Sequence, residues 1–280
     1  MHRSTVETVL EYQVRAPTHF CFNLEAAHWP TQEILSERLA VSSNVDVHSF
    51  TDPVSGNRFF RFDASPGPLL VDYKAEVEVH SEHVADDLPE TPVGQVPDEI
   101  FHYLMPSRYC ESDVLGNVAQ QMFGRQAPGI ARVRSIVNWI HESIAYRPGS
   151  STSTTTAQDV FVQRAGVCRD FAHLGITFCR ALNIPARLVV GYVWFDEPPQ
   201  DFHAIFEAWI GGRWVLFDAT GMAPVDRVVR IGTGRDAKDV AFSTFFGGVE
   251  MTRKEINVQE HDPRGRVPSG KPSVVLAAAA

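Results

Sequence analysis

The sequence predicts an α+β protein in which a β-rich region comes first and helices with further strands follow. Three patterns lead to this class. Apolar and polar residues alternate through the first 85 positions, which is typical of strands with one buried face. Apolar residues at helical spacing begin after about residue 107, and a tandem glycine pair at 211–212 then marks a hairpin. We therefore expect an N-terminal antiparallel β domain at 1–85, a linker at 86–106, a mixed domain at 107–250 and a C-terminal extension at 251–280.

The N-terminal region shows its clearest strand pattern at 71–79. Apolar side chains alternate there with charged ones, so one face of the strand is expected to be buried and the other wet. Shorter runs of the same kind lie at 10–14, 20–24 and 35–41. Turn sequences such as Pro66-Gly67-Pro68 separate the runs. Short strands at this spacing predict a sandwich or a small barrel.

The next stretch is acidic and rich in proline, and we expect it to stay outside the core as an interdomain linker. Four helices are expected to follow, at 114–124, 130–146, 156–166 and 168–182. Apolar residues recur in them at steps of three and four. Thr156 can cap the third helix, and Asn183 with Pro185 ends the fourth. Residues from about 251 onward are polar, which predicts a loose tail.

Three strands are expected after the last helix, at 186–195, 202–210 and 213–218. Gly211-Gly212 supplies a two-residue turn between the last two strands. This turn sets Trp209 opposite Trp214, and the same register makes His203 and Asp218 diagonal neighbours on one face. Diagonal partners lie about 7–8 Å apart at the backbone, within reach of two polar side chains. A shift of one residue would move them to opposite faces, so the register tests the pairing.

Composition limits the classes of function. The chain of 280 residues has a formal net charge of −9 and a pI near 5.6. This balance argues against a nucleic-acid partner and gives no reason to expect a membrane partner. We see no membrane span or secretory signal, and four cysteines without a paired motif predict neither a disulfide framework nor a metal site. A cytoplasmic protein without a cofactor is expected, and its oligomeric state is not predicted.

Cys168 is the candidate nucleophile. A helix is expected to begin there, directly after Gly166-Val167, and unpaired amides and the helix dipole at that end stabilise a thiolate. The same amides can hold the oxyanion of an acyl-transfer intermediate. Most cysteines on an apolar helix stripe are small core residues, and the other three cysteines of the chain are assigned that role.

His203 and Asp218 are the candidate base and its orienting partner. A nucleophilic thiol needs a base, and the base needs a group that fixes its orientation. Asp218 can take a hydrogen bond from one imidazole nitrogen while the other nitrogen faces the thiol. Taken singly, the histidine could be an ordinary sheet residue and the aspartate a turn residue. Their shared face among apolar neighbours favours the catalytic hypothesis.

Three sequence blocks resemble bacterial members of the transglutaminase-like superfamily. They are Gly166-Val167-Cys168-Arg169-Asp170-Phe171-Ala172-His173-Leu174, His203-Ala204 with Glu207-Ala208-Trp209, and Trp214-Val215-Leu216-Phe217-Asp218-Ala219-Thr220. They lie within about 140–240 in the family's order of Cys, His and Asp, and the β-rich start is similar to the N-terminal region that often precedes this domain in bacteria. The resemblance implies a papain-like or transglutaminase-core domain with the nucleophile helix packed on an antiparallel sheet. It also implies a catalytic triad of Cys168, His203 and Asp218.

The sequence departs from the family at two positions. An alanine follows Asp218 where the family often has proline, and Phe202 precedes His203 where a small residue is common. Both changes can narrow the site, and neither removes a catalytic group. The second oxyanion donor is left open among three residues, each with a packing or surface role as its alternative: Tyr146, Trp139 and Gln158. His173 is expected to make a polar contact away from the site.

The expected reaction is acyl transfer from a peptide, protein or small amide through a thioester on Cys168. Water as the acceptor would make the protein a peptidase or amidase, and an amine would make it a transglutaminase. Hydrolysis is favoured because water is always present and no amine-selecting feature is visible. The alternative is a non-catalytic binding or scaffold protein that keeps the fold.

Overall fold

The structure is a computed structural model that describes residues 1–42 and 45–261, together with the backbone of 274–276. Its first six strands are β1 (His2–Val14), β2 (Thr18–Phe22), β3 (Gln32–Val41), β4 (His48–Thr51), β5 (Arg58–Ala64) and β6 (Gly67–Val79). The middle of the chain holds α1 (Asp98–Phe101), α2 (Gly116–Phe123), α3 (Ile130–Ser143), β7 (Ala145–Tyr146), α4 (Ala157–Gln163), β8 (Ala165–Gly166) and α5 (Cys168–Ala181). The last strands are β9 (Ala186–Tyr192), β10 (His203–Ile210), β11 (Arg213–Phe217), β12 (Val229–Gly234), β13 (Ser243–Phe246), β14 (Val249–Glu260) and β15 (Val274–Leu276).

Two antiparallel sheets form the N-terminal part, and they share one apolar core. Their strand orders are β14-β1-β6-β3 and β13-β2-β5-β4. Along β1 and β6 buried residues alternate with more exposed ones, as a half-buried strand requires. Aromatic side chains fill the space between the sheets, including Tyr12, Phe20, Phe22, Phe60 and Tyr73. The predicted N-terminal antiparallel β region is confirmed.

The second part packs α5 against an antiparallel sheet with strand order β12-β9-β10-β11-β15. Every residue of β10 is buried, so this central strand is covered on both faces. Gly175 allows α5 to lie close to β10, because a Cβ at that position would sit 2.5 Å from the Phe206 ring. The predicted α+β class, with the Cys168 helix on an antiparallel sheet, is confirmed.

The hairpin between β10 and β11 has the register that the sequence predicts. Gly211 and Gly212 have positive φ angles of 61° and 75°, which is the backbone of a two-residue hairpin turn. Trp209 pairs with Trp214 and Ile210 pairs with Arg213. The last ladder pair joins Phe206 to Phe217, one residue before Asp218.

The segment predicted as a free linker lies against the second part of the protein. Leu88 packs on its core, and the Leu88 carbonyl accepts a hydrogen bond of 2.9 Å from the Ile130 backbone N–H. Gly129 has a φ of 101°, and any side chain there would collide with the Leu88 backbone. The expectation that this stretch stays outside the core is therefore wrong, because backbone groups of proline-rich chain can dock even where few side chains are apolar. The division of the chain into domains remains a prediction.

The expectation of a loose tail is also wrong for 251–260. These residues belong to β14, which pairs with β1 along the register from Ser4↔Glu260 to Val14↔Val249. The strand has a polar composition because it lies at a sheet edge, and only Ile256, Val258 and Glu260 are buried in it. The rest of the predicted tail, apart from His261 and the backbone of 274–276, lies outside the described residues.

Buried polar contacts join the two parts. The Tyr192 hydroxyl accepts from the Thr8 hydroxyl at 2.9 Å and donates to the Leu24 carbonyl at 2.6 Å. The buried Asn57 side chain donates to the Thr233 carbonyl of β12 at 2.8 Å and accepts from the Thr233 backbone N–H at 3.0 Å. The apolar core of the N-terminal sheets also includes side chains from β9 and β12. The interface between the two parts is therefore buried and has both polar and apolar contacts. Among the described residues, no helix is both long and apolar enough to cross a membrane.

Candidate active site

Cys168 opens α5, and the residues around it fix that helix end. The Asp170 carboxylate is buried and accepts a hydrogen bond of 2.8 Å from the Val167 backbone N–H. Gly166 packs directly on Asp170, where a Cβ would lie 2.7 Å from the Asp170 side chain. The first amides of the helix lack helical partners, so positive potential is directed toward the cysteine. Cys168 itself is half-buried, with its sulfur 4.0 Å from the Phe202 carbonyl oxygen.

His203 begins β10 and contacts Asp218, which follows β11. The His203 Nε2 and Asp218 Oδ2 atoms are 3.0 Å apart, and both side chains are buried. The pairing of these two residues that the hairpin register predicts is therefore realised. Asp218 Oδ1 also accepts from the Thr220 backbone N–H at 2.8 Å and from the Thr220 hydroxyl at 2.7 Å.

The charges of this cluster reinforce each other. Burial alone would lower the pKa of His203, but the Asp218 charge and hydrogen bond, together with Cys168, raise it to about 10. Burial alone would raise the pKa of Asp218, and the contacts with His203 and Thr220 lower it instead. The imidazolium and the carboxylate thus form a charged pair inside the protein. Cys168 contributes to the raised pKa of His203, and the two residues line the same cavity.

A cavity of about 380 Å³ opens beside this cluster and is lined by both Cys168 and His203. A larger groove of about 630 Å³ lies elsewhere and is lined by Cys21 and His102. Burial raises the pKa of Cys21 and lowers that of His102, which keeps both groups neutral. The smaller cavity is the one that combines a thiol, a buried imidazole–carboxylate pair and a helix N-terminus.

Of the three candidates for a second oxyanion donor, only Tyr146 lies at the cysteine. It pairs with Gly166, two residues before the cysteine, and burial together with the Cys168 charge raises the pKa of Tyr146. Trp139 packs in the core against Phe178 at a ring distance of 5.7 Å. Gln158 is exposed at the start of α4. The packing and surface alternatives therefore hold for the latter two.

His173 makes the polar contact expected of it. Its Nε2 accepts a hydrogen bond of 3.1 Å from the Ala237 backbone N–H, and its ring stacks on Tyr109 at 5.3 Å. Burial lowers the pKa of His173 to about 4, so it is neutral near pH 7. Cys110 and Cys179 are buried in the apolar core, as expected, and burial raises the pKa of both thiols.

Several residues of the site were not identified from the sequence. Thr220 could have been found, because a threonine two residues after an aspartate is a common local hydrogen-bond partner for it. Asn23, Phe242 and Lys254 line the cavity but come from the N-terminal sheets and their edges. No local pattern connects these residues to Cys168. Within the part of the chain that the structure covers, no cluster of three or more His, Cys, Asp or Glu side chains could hold a metal ion.

Comparison with known proteins gives two matching families. Residues 116–219 match the family described as the transglutaminase-like superfamily, and residues 2–98 match the bacterial transglutaminase N-terminal domain. A crystal structure from Cytophaga hutchinsonii, named as a candidate cysteine protease, is 37% identical in sequence. It superimposes with a TM-score of 0.91 over 98% of this chain and 97% of that chain.

Two mycobacterial proteins are also similar, and both are named as uncharacterized. ML0607 of Mycobacterium leprae is 29% identical over 157 residues, which are 52% of this chain and 55% of that protein. Rv2569c of Mycobacterium tuberculosis is 34% identical over 143 residues, 46% of either protein. The chain thus spans about half the length of the curated relatives that it matches. The family matches and the Cytophaga structure together show that this chain belongs to the transglutaminase-like superfamily.

Proposed function

We propose that the protein is a cysteine-dependent enzyme that transfers acyl groups from peptide or amide substrates through a thioester on Cys168. One observation carries the proposal: a buried imidazole is held by a carboxylate at 3.0 Å and lines the same cavity as a cysteine at a helix N-terminus. Moving two charges out of water costs desolvation free energy. A functional role for the buried imidazolium–carboxylate pair would explain why the protein keeps it. The family membership and the name of the Cytophaga relative support the same reaction class.

In the first half-reaction, the Cys168 thiolate attacks the carbonyl carbon of the amide and forms a C–S bond. The Cys168 backbone N–H at the start of the helix stabilises the negative charge on the carbonyl oxygen, and the Tyr146 hydroxyl is the candidate second donor. The His203 imidazolium then gives its proton to the amine nitrogen as the C–N bond breaks. Asp218 keeps the imidazole in position and stabilises its charged form.

In the second half-reaction, an acceptor attacks the thioester carbon. His203, now neutral, takes the proton of the acceptor, and the C–S bond breaks to release the product and the Cys168 thiolate. Water as the acceptor gives hydrolysis and a primary amine gives transamidation. We favour water, and a peptide pool incubated with and without an added primary amine distinguishes cleavage products from amine adducts by mass.

Selective alkylation tests the nucleophile. Iodoacetamide at limiting concentration is expected to label Cys168 before Cys21, Cys110 and Cys179, because Cys168 interacts with an imidazolium. Loss of the base in His203→Ala is expected to slow labelling of Cys168 by about a hundredfold, within the range that positioned acid–base groups contribute. Mass mapping of the labelled peptides gives the rate at each cysteine.

His19→Ala is the matched control, because His19 also contacts an aspartate but lies on the N-terminal sheet, 2.8 Å from Asp63. It is expected to leave the labelling of Cys168 unchanged. Slow and equal labelling of all four cysteines in the unmodified protein would favour the binding or scaffold alternative instead.

A further inference from the structure

The cavity beside Cys168 is built from both parts of the protein. Strands β9, β10 and β12 of the second part supply one side. The other side comes from Asn23 after β2, from Phe242 and Ser243 at β13, and from Lys254 of β14. The N-terminal sheets therefore contribute directly to the space in which a substrate of Cys168 must lie.

The wall of this cavity is mainly apolar. Its apolar lining includes Leu188, Val190, Phe202, Ile231, Val240 and Phe242. The Phe202 and Phe242 rings stack at 5.0 Å, so a ring from the residue just before β10 meets one from the edge of the N-terminal sheets. The volume of about 380 Å³ is sufficient for a large side chain. An apolar group that enters removes this wall from water, whereas a polar group leaves its own hydrogen bonds unmade.

The charged groups around the cavity already have partners. Arg169 pairs with Asp170 at 3.0 Å, and Lys254 pairs with Asp201. The buried Asn23 Oδ1, an uncharged acceptor, has no hydrogen-bond partner among the residues that the structure describes. Because these charges are already paired, we do not expect the cavity to select an ionic ligand. Its shape and apolar lining are expected to determine what it binds.

We infer that this cavity binds a large apolar group of the substrate, an aromatic or branched aliphatic side chain, next to the amide that Cys168 attacks. The N-terminal sheets supply, through Phe242, the wall that selects this group. The inference rests on the proposed function, because it specifies the substrate of the same site. It directs the search toward amides beside apolar side chains rather than toward the carboxamide of glutamine.

Alkylating probes with different tails test the cavity without a known substrate. The probes are iodoacetamide, N-(2-phenylethyl)iodoacetamide with an aromatic tail, and N-(2-carbamoylethyl)iodoacetamide with a glutamine-like tail. In each reaction the Cys168 thiolate forms an S–C bond and iodide leaves with the bonding electrons. Each rate constant at Cys168 is divided by the rate constant of the same reagent with glutathione, which corrects for intrinsic reactivity.

The aromatic tail is expected to raise the corrected rate about tenfold or more over iodoacetamide, as the binding of an apolar group in a fitted pocket does. The glutamine-like tail is expected to give little gain. Phe242→Ala removes part of the wall and is expected to remove most of the aromatic advantage, while Phe242→Leu keeps most of it. Phe246→Ala removes an exposed phenylalanine of β13 that does not line the cavity, and it is expected to retain the full advantage.

The outcomes separate this inference from the function on which it rests. Equal corrected rates for the three probes, or a preference for the glutamine-like tail, would overturn the apolar assignment even if labelling by iodoacetamide remains selective and dependent on His203. If Phe246→Ala and Phe242→Ala lost the rate advantage of the aromatic probe equally, Phe242 would not be the residue that selects the apolar group. Should Phe242→Ala fail to fold, Phe242→Leu and the comparison of probes on the unmodified protein still show whether the cavity prefers an apolar group. Unselective labelling by iodoacetamide would instead remove the acyl-transfer proposal itself.

Discussion

Three donors besides the imidazole hold the Asp218 carboxylate. They are the Thr220 backbone N–H, the Thr220 hydroxyl and the Ala223 backbone N–H, the last at 3.3 Å. A carboxylate that accepts several hydrogen bonds stays ionised even when buried. Asp218 can therefore orient His203 and stabilise its charged form at the same time, which a neutral amide could not do.

The raised pKa of His203 predicts how stability depends on pH. The folded protein binds the imidazole proton up to about pH 10, whereas the unfolded chain releases it near 6.5. This stabilising contribution is therefore complete below pH 6.5 and is lost as the pH rises toward 10. We expect Asp218→Asn to flatten the decline of the unfolding free energy over this window by on the order of 1 kcal/mol per pH unit. Urea unfolding of both proteins between pH 6.5 and 10 measures the two slopes, and Asp63→Asn serves as the exposed control.

Parallel slopes in the unmodified protein and in Asp218→Asn would contradict a raised pKa of His203. The comparison uses slopes because Asp218→Asn also changes the absolute stability by removing a buried partner. Titrating groups that lie away from His203 are common to both proteins and cancel in the difference.

The core of the site was predictable at the level of single residues, and its surroundings were not. The glycine pair at 211–212 fixes the register, and the register brings His203 and Asp218 together. The cavity wall depends on contacts between residues far apart in the chain. Phe242, for example, meets Phe202 only because β13 pairs with β2 in the N-terminal sheet. Periodicity reports which face of an element is buried, but not which distant element covers it.

At the scale of elements, β14 shows how a polar strand is missed. Its first half carries Met251, Thr252, Arg253, Lys254 and Glu255, all of which are exposed. Hydrogen bonds to β1 and the ion pair between Arg253 and Glu11 hold this half in place. Backbone hydrogen bonds do not depend on the type of side chain. From its amino-acid composition alone, an edge strand with charged side chains therefore cannot be distinguished from a flexible tail.

Substitutions within β14 test its docking. Ile256 is 7% exposed in the N-terminal core, so Ile256→Ala is expected to lower the unfolding free energy by about 2–4 kcal/mol. Thr252→Ala lies in the same strand at an exposed position and is expected to change it by less than about 0.5 kcal/mol. Urea unfolding monitored by fluorescence gives both values. Two equally small effects would show that β14 is not packed on the core.

At the scale of the whole molecule, the two parts share buried contacts and are expected to unfold together. Tyr192 of β9 lies in the core of the N-terminal sheets, and its hydroxyl connects Thr8 with the Leu24 carbonyl. Tyr192→Phe leaves both partners buried without this bond, so the unfolding free energy is expected to fall by about 1–3 kcal/mol. Tyr109→Phe is the control, because its hydroxyl bond to the Ser153 carbonyl is exposed and water can replace it.

Calorimetry of Tyr192→Phe is expected to show one transition at a lower temperature, as for the unmodified protein. Two separate transitions, with only one of them shifted, would mean that the parts unfold independently. That result would also weaken the role of the N-terminal sheets in the cavity, because a wall must keep its position relative to the sulfur.

The pairing of β1 with β14 has a consequence for synthesis on the ribosome. One neighbour of β1 is β6, which emerges early, but the other is made about 170 residues after β6, roughly ten to thirty seconds later at ordinary elongation rates. During that interval the nascent chain presents one edge of β1 with free backbone groups, to which a foreign strand can add. The late arrival of residues 249–260 closes that edge, so a strand made long after β6 completes the first sheet.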